Sequence, residues 1–98
     1  MDINKAFGIA LQKTRKESDK TQEDFGIVSS RTYVSSLERG LKSVTLEKLE
    51  ELAAVMGVHP MTLLYRAYRL KDGQKNADKL VELLKTEFVD GISKADNG

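Results

Sequence analysis

The sequence predicts an all-α domain of five core helices followed by one C-terminal helix, and three observations carry that expectation. Apolar residues recur at three- and four-residue steps along most of the chain, a spacing that gathers them on one face of a helix. Capping and stopping residues punctuate these runs: Thr21, Ser30 and Thr45 ahead of them, and Gly40 and Gly57 behind. Residues 21–40, TQEDFGIVSSRTYVSSLERG, have the layout of two short helices separated by a tight polar turn. No internal repeat, low-complexity segment or strand-type alternation competes.

In chain order, a first helix begins at Asp2 or Asn4 and ends near Glu17, with Ile3, Phe7, Ala10, Leu11 and Thr14 on one face and Lys5, Lys13 and Lys16 towards water. Ser18-Asp19-Lys20 breaks it. Thr21 caps the second helix, whose first turn holds Glu23 and Asp24, where carboxylates favour the positive end of the helix dipole. Ser29 and Ser30 cap the third, which packs through Tyr33, Val34 and Leu37 and turns Arg31, Thr32, Ser35 and Ser36 the other way. Gly40 ends it, since a residue without Cβ takes a left-handed conformation at little cost. One face packed and the other carrying an Arg and short hydroxyls suits insertion into a DNA major groove.

Thr45 then caps a fourth helix with Leu46, Leu49, Leu52, Ala53 and Met56 on its apolar side, and Gly57 closes it. Pro60 opens a fifth at the position where its missing N–H costs nothing, with Leu63, Leu64, Ala67 and Tyr68 as its stripe. Lys71-Asp72-Gly73-Gln74 reads as a polar hinge. A last helix is expected over 77–89 through Leu80, Val81, Leu84 and Phe88, which either cover the core of this chain or meet a second copy. The expected organisation is therefore 1–70 as the main domain, 71–90 as hinge and C-terminal helix, and 91–98 as a disordered tail.

Composition bounds the chemistry. At 98 residues, with 40% hydrophobic and 32% charged, the chain has room for one modest core. It has no cysteine, so disulfides and thiolate sites are excluded, which fits a reducing, cytoplasmic setting. No apolar run is long enough to span a bilayer, and the first residues lack the order of a signal peptide. His59 is the sole histidine and no HExxH, GxGxxG, GxxxxGK or GxSxG occurs, so no enzyme, cofactor or metal site is expected, and nothing points to a small-molecule ligand. His59 reads as the residue before a helix start, and Glu47, Glu50 and Glu51 with Lys48 as a solvated charged face. The formal net charge is only +1, so binding to nucleic acid would depend on where the cations sit.

The stretches Gln22-Glu23-Asp24-Phe25 and Ser30-Arg31-Thr32-Tyr33-Val34-Ser35-Ser36-Leu37-Glu38-Arg39-Gly40 resemble the Xre/Cro-type helix-turn-helix regulators, which include the small phage repressors. The resemblance reaches upstream to Arg15 and downstream past Leu46, over roughly the first two-thirds of the chain. It departs in the turn before Ser29, which is about two residues shorter than is usual. The resemblance implies base contacts from Ser30, Arg31, Thr32 and Ser36, with Arg31 able to pair both O6 and N7 of guanine. It also implies phosphate contacts from Thr21, Gln22, Arg39, Lys42 and Ser43, although loop cations such as Arg39 and Lys42 are equally read as solvated surface. Arg15 and Glu38 match positions that form a structural ion pair.

A homodimer on double-stranded DNA follows from the same resemblance, since one recognition helix touches few bases. Its interface is expected among Leu64, Tyr68, Leu80, Val81, Leu84 and Phe88. The function implied is a sequence-specific transcriptional regulator, most simply a repressor on a palindromic operator. An antitoxin or a restriction-modification controller would look similar. The alternative is a protein-interaction module that keeps this scaffold but binds another protein, which the near-neutral charge favours.

Overall fold

Asp2 starts the first helix: its carboxylate accepts the amide N–H of Lys5 at 2.9 Å, and α1 (Ile3–Glu17) follows. The computed structural model describes residues 1–88, over which every regular element is helical. After α1 come a single 3-10 turn (Gln22–Phe25), α2 (Arg31–Glu38), α3 (Leu46–Met56), α4 (Pro60–Asp72) and α5 (Gln74–Thr86). The tail expected at 91–98 and the final residues expected in the C-terminal helix lie outside the described residues.

α1 is the spine, packing along α4 and across α2. It buries Phe7, Ala10, Leu11 and Thr14 of the face its periodicity marks out, with Ala6 added and Ile3 only partly covered. Leu11, Phe25, Val34, Leu37, Leu52 and Leu63 are fully enclosed at the centre of the core. Truncating any of them to alanine would cost about 2–5 kcal/mol, the lost transfer energy plus a cavity. Thr14 is buried as well, and its hydroxyl accepts from Arg66 Nη1 of α4 at 2.7 Å, so this polar group keeps a partner.

The second of the expected helices is shorter than its caps suggest. Gln22–Phe25 makes one 3-10 turn, with Asp24 N–H on the Thr21 carbonyl at 3.1 Å and Gly26 N–H on the Glu23 carbonyl at 3.0 Å. The chain then turns through Gly26, Ile27 and Val28, and the Phe25 carbonyl accepts from both Val28 and Ser29. The eight residues between the caps Thr21 and Ser30 must hold both this helix and the turn that leads into the next one, so the helix stops after a single turn. Phe25, buried completely, anchors the turn.

α2 is capped at both ends. The Ser30 hydroxyl accepts the Tyr33 amide at 3.1 Å, and at the other end Gly40, at φ +74°, sends its N–H to Leu37 while Leu41 bonds Ser36. Thr45 caps α3, and the His59 ring caps α4 by accepting the Met61 amide at 3.0 Å. Leu46 is not part of the buried stripe of α3: at the first helical position it stands 79% exposed. The four-residue hinge contracts to one residue, because α4 runs on to Asp72 and α5 begins at Gln74. α5 is held to the domain by Ala77, which is buried, and by the Tyr65 hydroxyl, which donates to Asp78 at 3.0 Å.

Candidate nucleic-acid interface

Glu38, the last residue of α2, carries a carboxylate that is almost wholly enclosed, and three groups answer its charge. Arg15 Nε donates to Oε2 at 2.6 Å and Nη2 to Oε1 at 3.0 Å, while Gln22 Nε2 donates to Oε1 at 3.0 Å. The third arm of the guanidinium, Nη1, bonds the Lys20 carbonyl at 3.0 Å. The hydrogen bond to Glu38 raises the Arg15 pKa beyond the ordinary arginine range, against the opposing effect of burial. One two-pronged pair thus ties α1, the 3-10 turn and α2 together and fixes how α2 is presented.

The exposed side of α2 begins with Arg31 at the first helical position and Thr32 beside it. Two shallow concavities flank this turn. One is lined by Arg15, Thr21, Gln22, Glu23 and Arg31, the other by Gln22, Arg31, Thr32, Ser35 and Arg39. Gln22 and Arg31 belong to both, so they form the ridge between them. Gln22 Nε2 gives one N–H to Glu38, which leaves its second N–H and the amide oxygen for another partner. Thr21 lies on the rim with its amide bonded to Asp24 at 2.7 Å, a bond that holds the Asp24 carboxyl below its usual range.

Beyond the α2 C-terminus, Arg39 and Lys42 are exposed and neither has a carboxylate within 4.0 Å among the described residues. The Lys42 ammonium stands 5.6 Å from the centre of the Tyr33 ring, close enough for a cation–π contact. Ser43 is exposed, and its hydroxyl accepts from Asn4 at 3.1 Å. The cations that count here are thus local to α2 and its flanks, whatever the overall charge.

Ser36 departs from its expected place. At 8% exposure it lies towards the packed side of α2 rather than fully on the exposed face expected of a base contact. Ser35 lines the concavity instead. Of the residues expected at a dimer interface, Leu64 packs partly against the core and Val81 is half-covered, while Tyr68, Leu80, Leu84 and Phe88 are exposed, joined by Leu83.

Two further groups have partners that the sequence did not announce. Glu23 Oε1 stands 3.4 Å from Arg31 Nη1, a pair eight positions apart that no helical spacing announces. The Lys48 ammonium bonds the Val28 carbonyl and the Glu51 carboxylate, pinning α3 to the turn ahead of α2; only its i,i+3 spacing to Glu51 was legible. Among the described residues no group of three or more His, Cys, Asp or Glu could hold a metal, and no helix is long and apolar enough to cross a membrane.

A family model described as helix-turn-helix matches residues 11–63. Among curated proteins, the control protein C.MunI of a Mycoplasma species is 45% identical over 60 residues, covering 58% of this chain and 81% of that protein. The control protein C.BamHI of Bacillus amyloliquefaciens is 33% identical over 66 residues, covering 64% and 82%. Among solved structures, the clp gene regulator ClgR from Corynebacterium glutamicum superposes with a TM-score of 0.70 at 25% identity, covering 92% of this chain and 96% of that one.

Proposed function

The chain belongs to the helix-turn-helix family, and we propose that it represses transcription by occupying a palindromic DNA operator as a homodimer. The observation that carries the proposal is the presentation of α2: a buried Arg15–Glu38–Gln22 network fixes the helix, and its exposed first turn offers Arg31 and Thr32 between two concavities. In this reading Arg31 and Thr32, with Ser30 at the cap and Ser35 in place of Ser36, meet base edges, and Arg31 pairs with guanine. Thr21, Gln22, Arg39, Lys42 and Ser43 meet phosphates on either side. Residues 1–70 form the DNA-binding unit, and the dimer closes through Leu80, Val81, Leu84 and Phe88 of the 71–90 segment together with Leu64 and Tyr68 of α4.

An electrophoretic shift series tests this, using DNA flanking the protein's own gene and salt as the variable. Phosphate-driven binding gives a log–log slope of about 0.9 per phosphate neutralised. Arg31→Ala should leave folding intact and cost about 1–3 kcal/mol of specific binding, with relaxed preference at one symmetric pair of base positions. A flat salt response and no retained duplex would instead favour a protein-binding module on the same scaffold.

A further inference from the structure

A carboxylate at the mouth of the proposed groove-reading surface is out of place, because it repels the phosphates that the neighbouring cations attract. Glu23 is such a carboxylate. It projects from the 3-10 turn, is largely exposed, and ends 3.4 Å from Arg31 Nη1. Its neighbour Asp24 is occupied with the Thr21 amide, whereas Arg31 is the partner found for Glu23 among the described residues. The two line one concavity together with Gln22 and Arg15.

We propose that Glu23 is a specificity-determining residue, which positions the Arg31 guanidinium for one base pair rather than leaving it free to follow the nearest phosphate. The inference rests on the reading that Arg31 meets a base. A guanidinium has five donors in a rigid fork, of which a guanine edge uses two. With Nη1 turned to Glu23, the Nε–Nη2 edge remains for O6 and N7. In water such an exposed pair holds the side chain weakly. Once α2 lies in a groove and water is displaced, the same contact strengthens as the local dielectric falls. The carboxylate thereby lowers affinity for DNA in general while favouring one orientation of the side chain, which is how discrimination is gained at the expense of non-specific binding.

The test compares wild type, Glu23→Gln, Glu23→Asp and Arg31→Ala, first by selecting an operator from randomised duplexes and then by titrating that operator and a non-specific duplex at one salt concentration. Glu23→Gln should bind the non-specific duplex as well as wild type or better, and lose roughly three- to tenfold in discrimination at the base pair that Arg31→Ala relaxes. Glu23→Asp, which keeps the charge but falls one methylene short, should behave like Glu23→Gln. In the Arg31→Ala background, Glu23→Gln should have no further effect on base preference. Equal gains on both duplexes with unchanged preference would overturn the proposal and leave Glu23 a repulsive surface charge. Relaxation at a different base pair would also overturn it, making Glu23 a reader of cytosine in its own right. An Arg31→Ala protein that selects the wild-type operator would instead refute the parent reading of Arg31.

Discussion

Gly8 of α1 and Leu37 of α2 meet backbone to backbone: a Cβ on Gly8 would stand 2.4 Å from the Leu37 carbonyl oxygen, and 2.6 Å from that of Glu38. No side chain can move aside to relieve such a clash. Gly8→Ala should therefore destabilise the protein by about 1–3 kcal/mol in urea melts, even though alanine is the better helix former by about 1 kcal/mol. It should also weaken DNA binding, because the crossing that opens is the one that aims α2. A Gly8→Ala protein as stable as wild type would show that α1 and α2 can separate freely.

Arg15→Ala leaves the enclosed Glu38 carboxylate with Gln22 alone, and breaking a buried pair in this way costs about 3–5 kcal/mol. The double change Arg15→Met with Glu38→Leu removes both charges and should recover much of that stability. Differential scanning calorimetry on the double change and on Arg15→Met and Glu38→Leu singly separates the pair's coupling from packing. An unchanged melting temperature in Arg15→Ala with lost DNA binding would make Arg15 a direct contact.

Much of this was legible in the residues. The helices at α1, α2, α3 and α4 follow from apolar spacing, and Ser30, Thr45, Gly40, Gly57 and Pro60 mark ends that depend only on local chemistry. What periodicity could not show depends on neighbours distant in sequence. The 3-10 turn reflects how little chain separates two caps, with Phe25 fixing it from the core. Ser36 looks like Ser35 in the sequence; which of them is covered depends on how α2 is rolled against α1. The need for glycine at position 8 exists only because α2 arrives there.

Asp24 supplies a pH-dependent contribution to the local fold. Its carboxyl is held below its usual range chiefly by the Thr21 amide, then by the Thr21 hydroxyl. A lowered folded-state pKa favours the native state above the unfolded value, near 3.9, and the benefit disappears as pH falls through the native one. Asp24→Asn should melt below wild type at neutral pH, and the two curves should converge in acid. A constant offset across the titration would assign the loss to packing rather than to charge.

The assembly prediction uses surface already exposed in the single chain. Leu80→Ser with Leu84→Ser should change the stability of the single chain little, and, if the proposed dimer closes through α5, should leave a monomer in sedimentation where wild type sediments as a dimer. Preference for a two-half-site operator over a single half-site should fall with it. A dimer that survives would place the contact on α4 instead.

Gly73 is the sole residue between α4 and α5, and at φ +89° and ψ 151° it sits where side-chain-bearing residues are essentially not found. The 13 residues of α5 make an arm about 20 Å long at 1.5 Å per residue. Rotating it by about 10° at that joint would carry its far end about 3.4 Å. In the proposed dimer this one torsion, braced by the Tyr65–Asp78 bond, would set how far apart two copies of α2 stand.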